Sequence, residues 1–381
     1  MDPTTTAIGT WSGGRFMHFG EAVSEERLQK LLRPGEGIET VITADVYGTG
    51  EADRALGAAL QGLARDSYCL VSGIGHDFYE GRREGAKGFP RFTDPRLRSA
   101  NSYAGYLRTA TERSLERCGA ERFDLLLLHN PDRSGYSSPA VWEGMEALRE
   151  AGLTRLLGVA PGPANGFTLD LIDCFERFSA QIDWAMIIPS PLEPWPGELV
   201  LAAAAAHDVS VITRVVDYGG MLHDDVFGED DFPAQDHRRF RAPGWVSAGR
   251  EKVEQLRPYA ERHGLTMLQL ACAWNLAHTA VRCVAPTLIQ ERGPAARAIE
   301  DKRAELAGVS AAPRLSDEEL QAIRAIGDNT GRMALKGASV EHEGPPQADR
   351  WGVADELAAV AARWGIEPAR DLARRELSRA G

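Results

Sequence analysis

No stretch of this chain approaches the roughly 20 consecutive apolar residues that cross a bilayer. Its opening residues, MDPTTTAIGTW, lack a basic start followed by an apolar core. No membrane contact is therefore expected, and a cytoplasmic location is. Basic clusters interleaved with aromatics are missing too. With 55 acidic against 43 basic side chains, the net charge of -12 repels phosphate backbones, so nucleic acid is not an expected partner. Cysteine is sparse. Cys69, Cys118, Cys174, Cys272 and Cys283 are odd in number and lack disulfide or zinc spacing, which predicts reduced thiols in the core.

What the chain does have is 381 residues, 43% of them hydrophobic, enough for one large barrel or two ordinary domains. Short apolar runs recur: ETVIT (39–43), YCLVS (68–72), FDLLLLH (123–129), TRLLGVA (154–160), WAMII (184–188), VSVIT (209–213) and VRCVA (281–285). Runs of this kind suit parallel strands buried on both faces. Amphipathic segments lie between them, among them 51–64, 103–119, 138–152 and 197–208. Counting GTW (9–11) and the helix EERLQKLL (25–32) gives eight strand–helix units. The expected fold is an α/β (β/α)8 TIM barrel with long βα loops and a C-terminal helical extension. The boundaries predicted are 1–330 for the barrel and 331–381 for an extension packed on it.

The order of GTW (9–11), TADVYGTGEADRALGAAL (43–60), RFDLLLLHNPD (122–132), ALREAGLTRLLGVA (147–160) and LTMLQLACAWNLAH (265–278) resembles the aldo/keto reductase superfamily over roughly residues 9–328. The resemblance puts Tyr47 on the family's catalytic tyrosine and His129 on its catalytic histidine. Each would stand at the carboxyl end of a strand, where barrel active sites lie. It also implies a lysine cation, buttressed by an aspartate, that lowers the phenol's pKa. Those two positions are Gly73 and Ile42 here. Neither carries charge, which leaves Tyr47 with at most His129 beside it; Lys87, in the loop 83–91, or His76 are the candidate substitutes. The family's Ser-Asn pair for the nicotinamide carboxamide is Ala160-Pro161, its glutamine is Ile187, and Ser190 stands where a tyrosine stacks on the ring. In the family's adenosine-phosphate loop, Thr287 replaces a glycine. Arg292, Arg297, Lys302 and Arg303 could still hold the phosphates of NADP(H), although a solvated helix face explains them equally well. The expected cofactor is therefore either none or NADP(H).

Other polar residues gather at the predicted strand ends. Trp11, His76, Arg214 and Asp217 are the candidate substrate-binding residues, since an arginine at the end of VSVITR calls for an anionic or carbonyl partner, unless it pairs with Asp217 or Glu193. His76, Asp77, His129 and Asp132 are too scattered to match a metal site, and no metal is expected. The GPANG loop (162–166) reads as a turn rather than a phosphate cradle. Three functions are compatible with these residues. One is a redox-neutral dehydration, elimination or isomerisation of a small polar carbonyl or hydroxyl compound through Tyr47 and His129. The second is an NADP(H)-dependent carbonyl reductase or alcohol dehydrogenase with an atypical cofactor site. The third is a non-catalytic ligand-binding barrel.

Overall fold

The computed structural model describes residues 1–84, 88–162, 167–228, 232–241, 243–311, 315–331 and 354–372. Eight parallel strands run in sequence order: β1 (Ala7–Gly9), β2 (Thr40–Ile42), β3 (Cys69–Ile74), β4 (Phe123–His129), β5 (Thr154–Ala160), β6 (Trp184–Ile187), β7 (Ser210–Arg214) and β8 (Val281–Ala285). A parallel bridge between Thr6 and Val284, with the Val284 N–H donating to the Thr5 carbonyl at 2.9 Å, brings β1 against β8. The result is the (β/α)8 barrel.

Side chains alternate across each strand, so the barrel has a packed interior and an outer face covered by helices. The interior layers are Ala7, Ile42, Cys69, Val71, Leu125, Leu127, Trp184, Met186, Ile212 and Cys283, all buried. Continuing the same alternation to the carboxyl ends sets a top layer of Gly9, Ile42, Gly73, His129, Ala160, Arg214 and Ala285. Most of that layer is small. From that layer His129 and Arg214 project at the carboxyl ends of β4 and β7.

Two boundaries differ from expectation. β1 ends at Gly9, because Trp11 folds back over it: a Cβ on Gly9 would stand 2.3 Å from the indole ring. The segment 197–208 begins as a 3-10 turn (Gly197–Val200) before the short helix Leu201–Ala206. All five cysteines are free and buried. Beyond residue 330, the helix Ala358–Arg363 lies against the helix Thr168–Phe178, where Arg363 and the Trp364 indole both bond Glu176. The Trp195 indole donates to the Asp371 carbonyl at 2.6 Å. No described helix is long and apolar enough to cross a membrane.

Candidate active site

After β2 the chain stays in register with β3 for three more residues, since Thr43 N–H bonds Val71 O and Asp45 N–H bonds Gly73 O. It then turns sharply. Gly48 (φ 57°) and Gly50 (φ 98°) take left-handed conformations that cost a residue with a Cβ more, and the helix Glu51–Leu60 starts at once. This turn delivers the half-buried Tyr47 ring to the mouth. His129 arrives from the last position of β4, packed so closely that a Cβ on Gly73 would stand 3.1 Å from its own Cβ. The two rings meet edge-on, centroids 5.7 Å apart at 80°.

His76, from the loop after β3, stands on the other side of His129 at 5.2 Å. Its Nδ1 lies 3.0 Å from the Arg91 guanidinium and its Nε2 3.3 Å from the Asn130 amide. Arg91 also donates through Nε to the Asn130 carbonyl. Asn130 takes φ 47°, a conformation asparagine tolerates well, and its N–H bonds Ala160 O at 2.7 Å. His76 is thus buttressed by Asn130 and by Arg91, and of the two Arg91 is the one that sequence reasoning did not single out.

Arg214 reaches the mouth from the end of β7. Its guanidinium donates to the Pro161 carbonyl at 3.2 Å, while its Nε finds no partner among the described residues. The next residue, Val215, is held at φ 58°, which is strained for a β-branched side chain. The charge acts on both catalytic candidates. Burial raises the Tyr47 phenol above its ordinary value of 10, and Arg214 pulls it back down. Burial first, then Arg214 and Arg91, presses the His129 imidazole to about 3, so it is neutral at physiological pH. Its Nδ1 has no partner among the described residues. The expectation that Tyr47 would have at most His129 beside it is therefore corrected: a cation reaches it from β7, across the mouth, rather than from the Gly73 position on β3. Lys87 lies outside the described residues.

Trp11 covers Gly9 and is only 5% exposed, its indole N–H unpartnered. Asp217 is fully buried and accepts from the N–H groups of Gly220 (2.8 Å) and Thr287 (2.6 Å). That bonding ties the β7 and β8 loops together and leaves Asp217 in the wall, not paired with Arg214. Of the GPANG loop only Gly162 is described. Among the described residues no group of three metal-ligating side chains comes together.

The fit of a dinucleotide can be tested on the residues themselves. Ala160 and Ile187 offer no side-chain hydrogen bond to a carboxamide, and the Ser190 hydroxyl donates to Val216 O at 3.1 Å. The basic residues beyond β8 are already engaged. Lys302 is fully buried, not on a solvated face, and holds Asp225 at 2.7 Å and Ile289 O at 2.6 Å. Arg297 pairs with Glu305 and donates to His223 O. Arg303 holds the carbonyls of Leu31, Arg33 and Gly35, and the exposed Arg292 pairs with Glu21 at 3.1 Å. Between the β7 and β8 loops, Arg238 is buried with Asp236 (2.7 Å) and Glu291 (2.5 Å), so that region carries two carboxylates to one guanidinium. These groups do not fit the nicotinamide and phosphates in the way the family's do.

Residues 7–328 match the sequence model of the Aldo/keto reductase family. A 6-dehydroglucose reductase of Agrobacterium fabrum is 22% identical over 291 residues, covering 74% of this chain and 82% of its own. A D-threo-aldose 1-dehydrogenase of a Pseudomonas species is 25% identical over 217 residues, covering 53% and 63%. Among solved structures, a glycerol dehydrogenase of Gluconobacter oxydans superposes with a TM-score of 0.62 at 21% identity, covering 90% of this chain and 94% of its own. An aldo-keto reductase of Bacillus halodurans in its holo form gives 0.59 at 22%, covering 86% and 93%. With the barrel, the Tyr47 turn and His129 at the end of β4, these matches mean that the chain belongs to the aldo/keto reductase family.

Proposed function

We propose that the barrel mouth performs proton transfer at the carbonyl of a small, sugar-like compound, with Tyr47 giving or taking the proton and Arg214 supplying the nearby positive charge. The sugar-like substrate class comes from the relatives named for a dehydroglucose and an aldose. The reaction read here is redox-neutral: dehydration, elimination or isomerisation beside the carbonyl. The observation that carries it is the contrast within one mouth. Tyr47, a neutral His129 and Arg214 are gathered together, while Ala160, Pro161 and Ile187 stand at the carboxamide positions. In such a step Tyr47, ionised beside Arg214, takes a proton from the carbon beside the carbonyl and passes it to the carbonyl oxygen, to which the neutral His129 ring donates a hydrogen bond. An enol or enediol results, with atoms balanced and no electrons exchanged with a partner. Returning a proton to the neighbouring carbon completes an isomerisation; expelling a β-hydroxyl completes a dehydration.

A second reading is a reductase or dehydrogenase that holds NADP(H) through groups other than the family's own. It is favoured by relatives named reductase and dehydrogenase. One experiment separates the two. Purified protein is incubated with aldoses, ketoses and their acids in deuterated water, and followed by NMR and mass spectrometry with NADPH absorbance recorded in parallel. Solvent deuterium at carbon, with product mass otherwise unchanged or lower by one water, supports the first reading. NADPH consumption in step with carbonyl loss, without carbon exchange, sinks it in favour of the second.

A further inference from the structure

Arg214, half-buried with its Nε enclosed, stands apart from most of the inward-facing arginines of this protein. Arg238 holds Asp236 and Glu291, Arg117 holds Asp53, and Arg98 holds Asp77. A buried guanidinium without a counter-charge is costly, so such pairing is the ordinary arrangement. Arg241 lacks a carboxylate bond too, but its charge lies 4.2 Å over the Trp245 ring. Arg214 has neither solution. Among the described residues its one hydrogen bond is to a neutral carbonyl, its Nε is unpartnered, and no carboxylate lies within ion-pair distance. The two acids that could have answered it are occupied elsewhere: Asp217 by backbone N–H groups, and Glu193 in the loop bridge with Ser190, where its charge acts on Arg241 rather than Arg214.

The layer around Arg214 makes the deficit sharper. Gly9, Ile42, Gly73, Ala160 and Ala285 carry no charge, and the position where the family's aspartate would sit is Ile42. Arg91 adds a second positive charge that reaches His129. A chain of net charge -12 has thus built a mouth with a positive interior. The strained Val215 that follows Arg214 fits a backbone held to aim this side chain.

We propose that the mouth selects an anionic substrate: a sugar acid whose carboxylate is seated on the Arg214 guanidinium, its carbonyl or hydroxyl carbon lying toward Tyr47 and His129. Resting on the proton-transfer reading, this names the substrate class of the same site. Guanidinium and carboxylate match in geometry, two N–H donors facing two oxygens, and the pair forms in a partly dry pocket where charge-assisted bonds are strong. Neutral sugars of the same size leave the guanidinium unanswered. The acid is the better ligand by about 10- to 100-fold, the usual weight of a hydrogen bond to a charged group.

Binding tests this without turnover. In Tyr47→Phe protein, tryptophan fluorescence and calorimetry are followed while D-glucuronate, D-galacturonate or D-gluconate is added, with D-glucose and D-galactose as neutral counterparts. At least one acid should bind tenfold or more tightly than its neutral counterpart. That preference should vanish in an added Arg214→Met change and survive in part in Arg214→Lys, which also guards against a variant that fails to fold. Equal or weaker binding of all the acids, or an acid preference that persists in Arg214→Met, overturns the proposal. An acid that binds as expected yet exchanges no deuterium in the wild-type protein leaves this inference standing and removes the proton-transfer reading instead.

Discussion

Asp45 invites a test of how a buried acid shapes this barrel's stability. It lies two residues before Tyr47, is fully buried, and neither carboxyl oxygen finds a hydrogen-bond partner of ordinary geometry among the described residues. Burial raises its pKa well above 3.8, Asp53 pushes it further, and Arg117 and the Val46 N–H only partly offset this. The folded protein therefore holds a proton there that the unfolded chain releases. A raised acid of this kind makes stability fall as pH climbs from the unfolded value through the folded one. Each unit of elevation costs about 1.4 kcal/mol. Asp45→Asn removes the titration while keeping the shape, and leaves the unmet polar contacts much as they were. Near pH 3 the two proteins should unfold at nearly the same urea concentration. Toward pH 8 the variant should become more stable, by about 1.4 kcal/mol for each unit of elevation that the pH has passed. Neighbouring Asp53 is the control. It accepts from Thr43 Oγ1 (2.9 Å), Ser114 Oγ (2.8 Å) and Arg117 Nε (3.0 Å), so Asp53→Asn should lose stability because Arg117 is left half-paired. Urea titrations across pH 3–8 read both. A gap for Asp45→Asn that does not widen with pH, or a variant weaker than wild type at pH 8, would refute the reasoning.

Four further outcomes follow from the same structure. Arg238→Met leaves Asp236 and Glu291 facing each other in a dry site, and should cost about 3–5 kcal/mol in urea unfolding, as breaking a buried pair does. Tyr47→Phe should reduce turnover by about 10²–10⁴-fold with an unchanged unfolding curve. Since His129 is neutral above about pH 3, the wild-type rate profile should show no limb near 6.5 from this residue, and an alkaline limb only above the phenol's ordinary value of 10. Gly73→Ala pushes a methyl to 3.1 Å from His129 Cβ, so activity should fall with little loss of stability.

The strands were legible because runs such as FDLLLLH and VRCVA carry apolar residues on both faces, which only a parallel, twice-covered sheet accommodates. β1 was misjudged by two residues, since nothing local distinguishes an indole at the end of a strand from one folded back over Gly9. Tyr47 and His129 were reached through the family resemblance, and Arg214 through its place at the end of VSVITR. Arg91 could not be reached so: it matters through the partner it meets in space, His76, fifteen positions away along the chain. The same holds for Lys302, which a solvated helix face explained as well as a phosphate did, because a long basic side chain gives no local sign of burial. Asp45 was hidden for the opposite reason, sitting inside a motif whose neighbours drew attention to the phenol.

Because Arg214 reaches Tyr47 from the opposite side of the barrel opening, an anion and a tyrosinate compete for one guanidinium. Whatever seats itself on that cation withdraws its pull on the phenol, so the proton there is held more tightly while the site is filled. By reciprocity, alkaline conditions that ionise the phenol must loosen the anion by the same factor. Occupancy and protonation at this opening are a single coupled equilibrium, and neither can be tuned by mutation without moving the other.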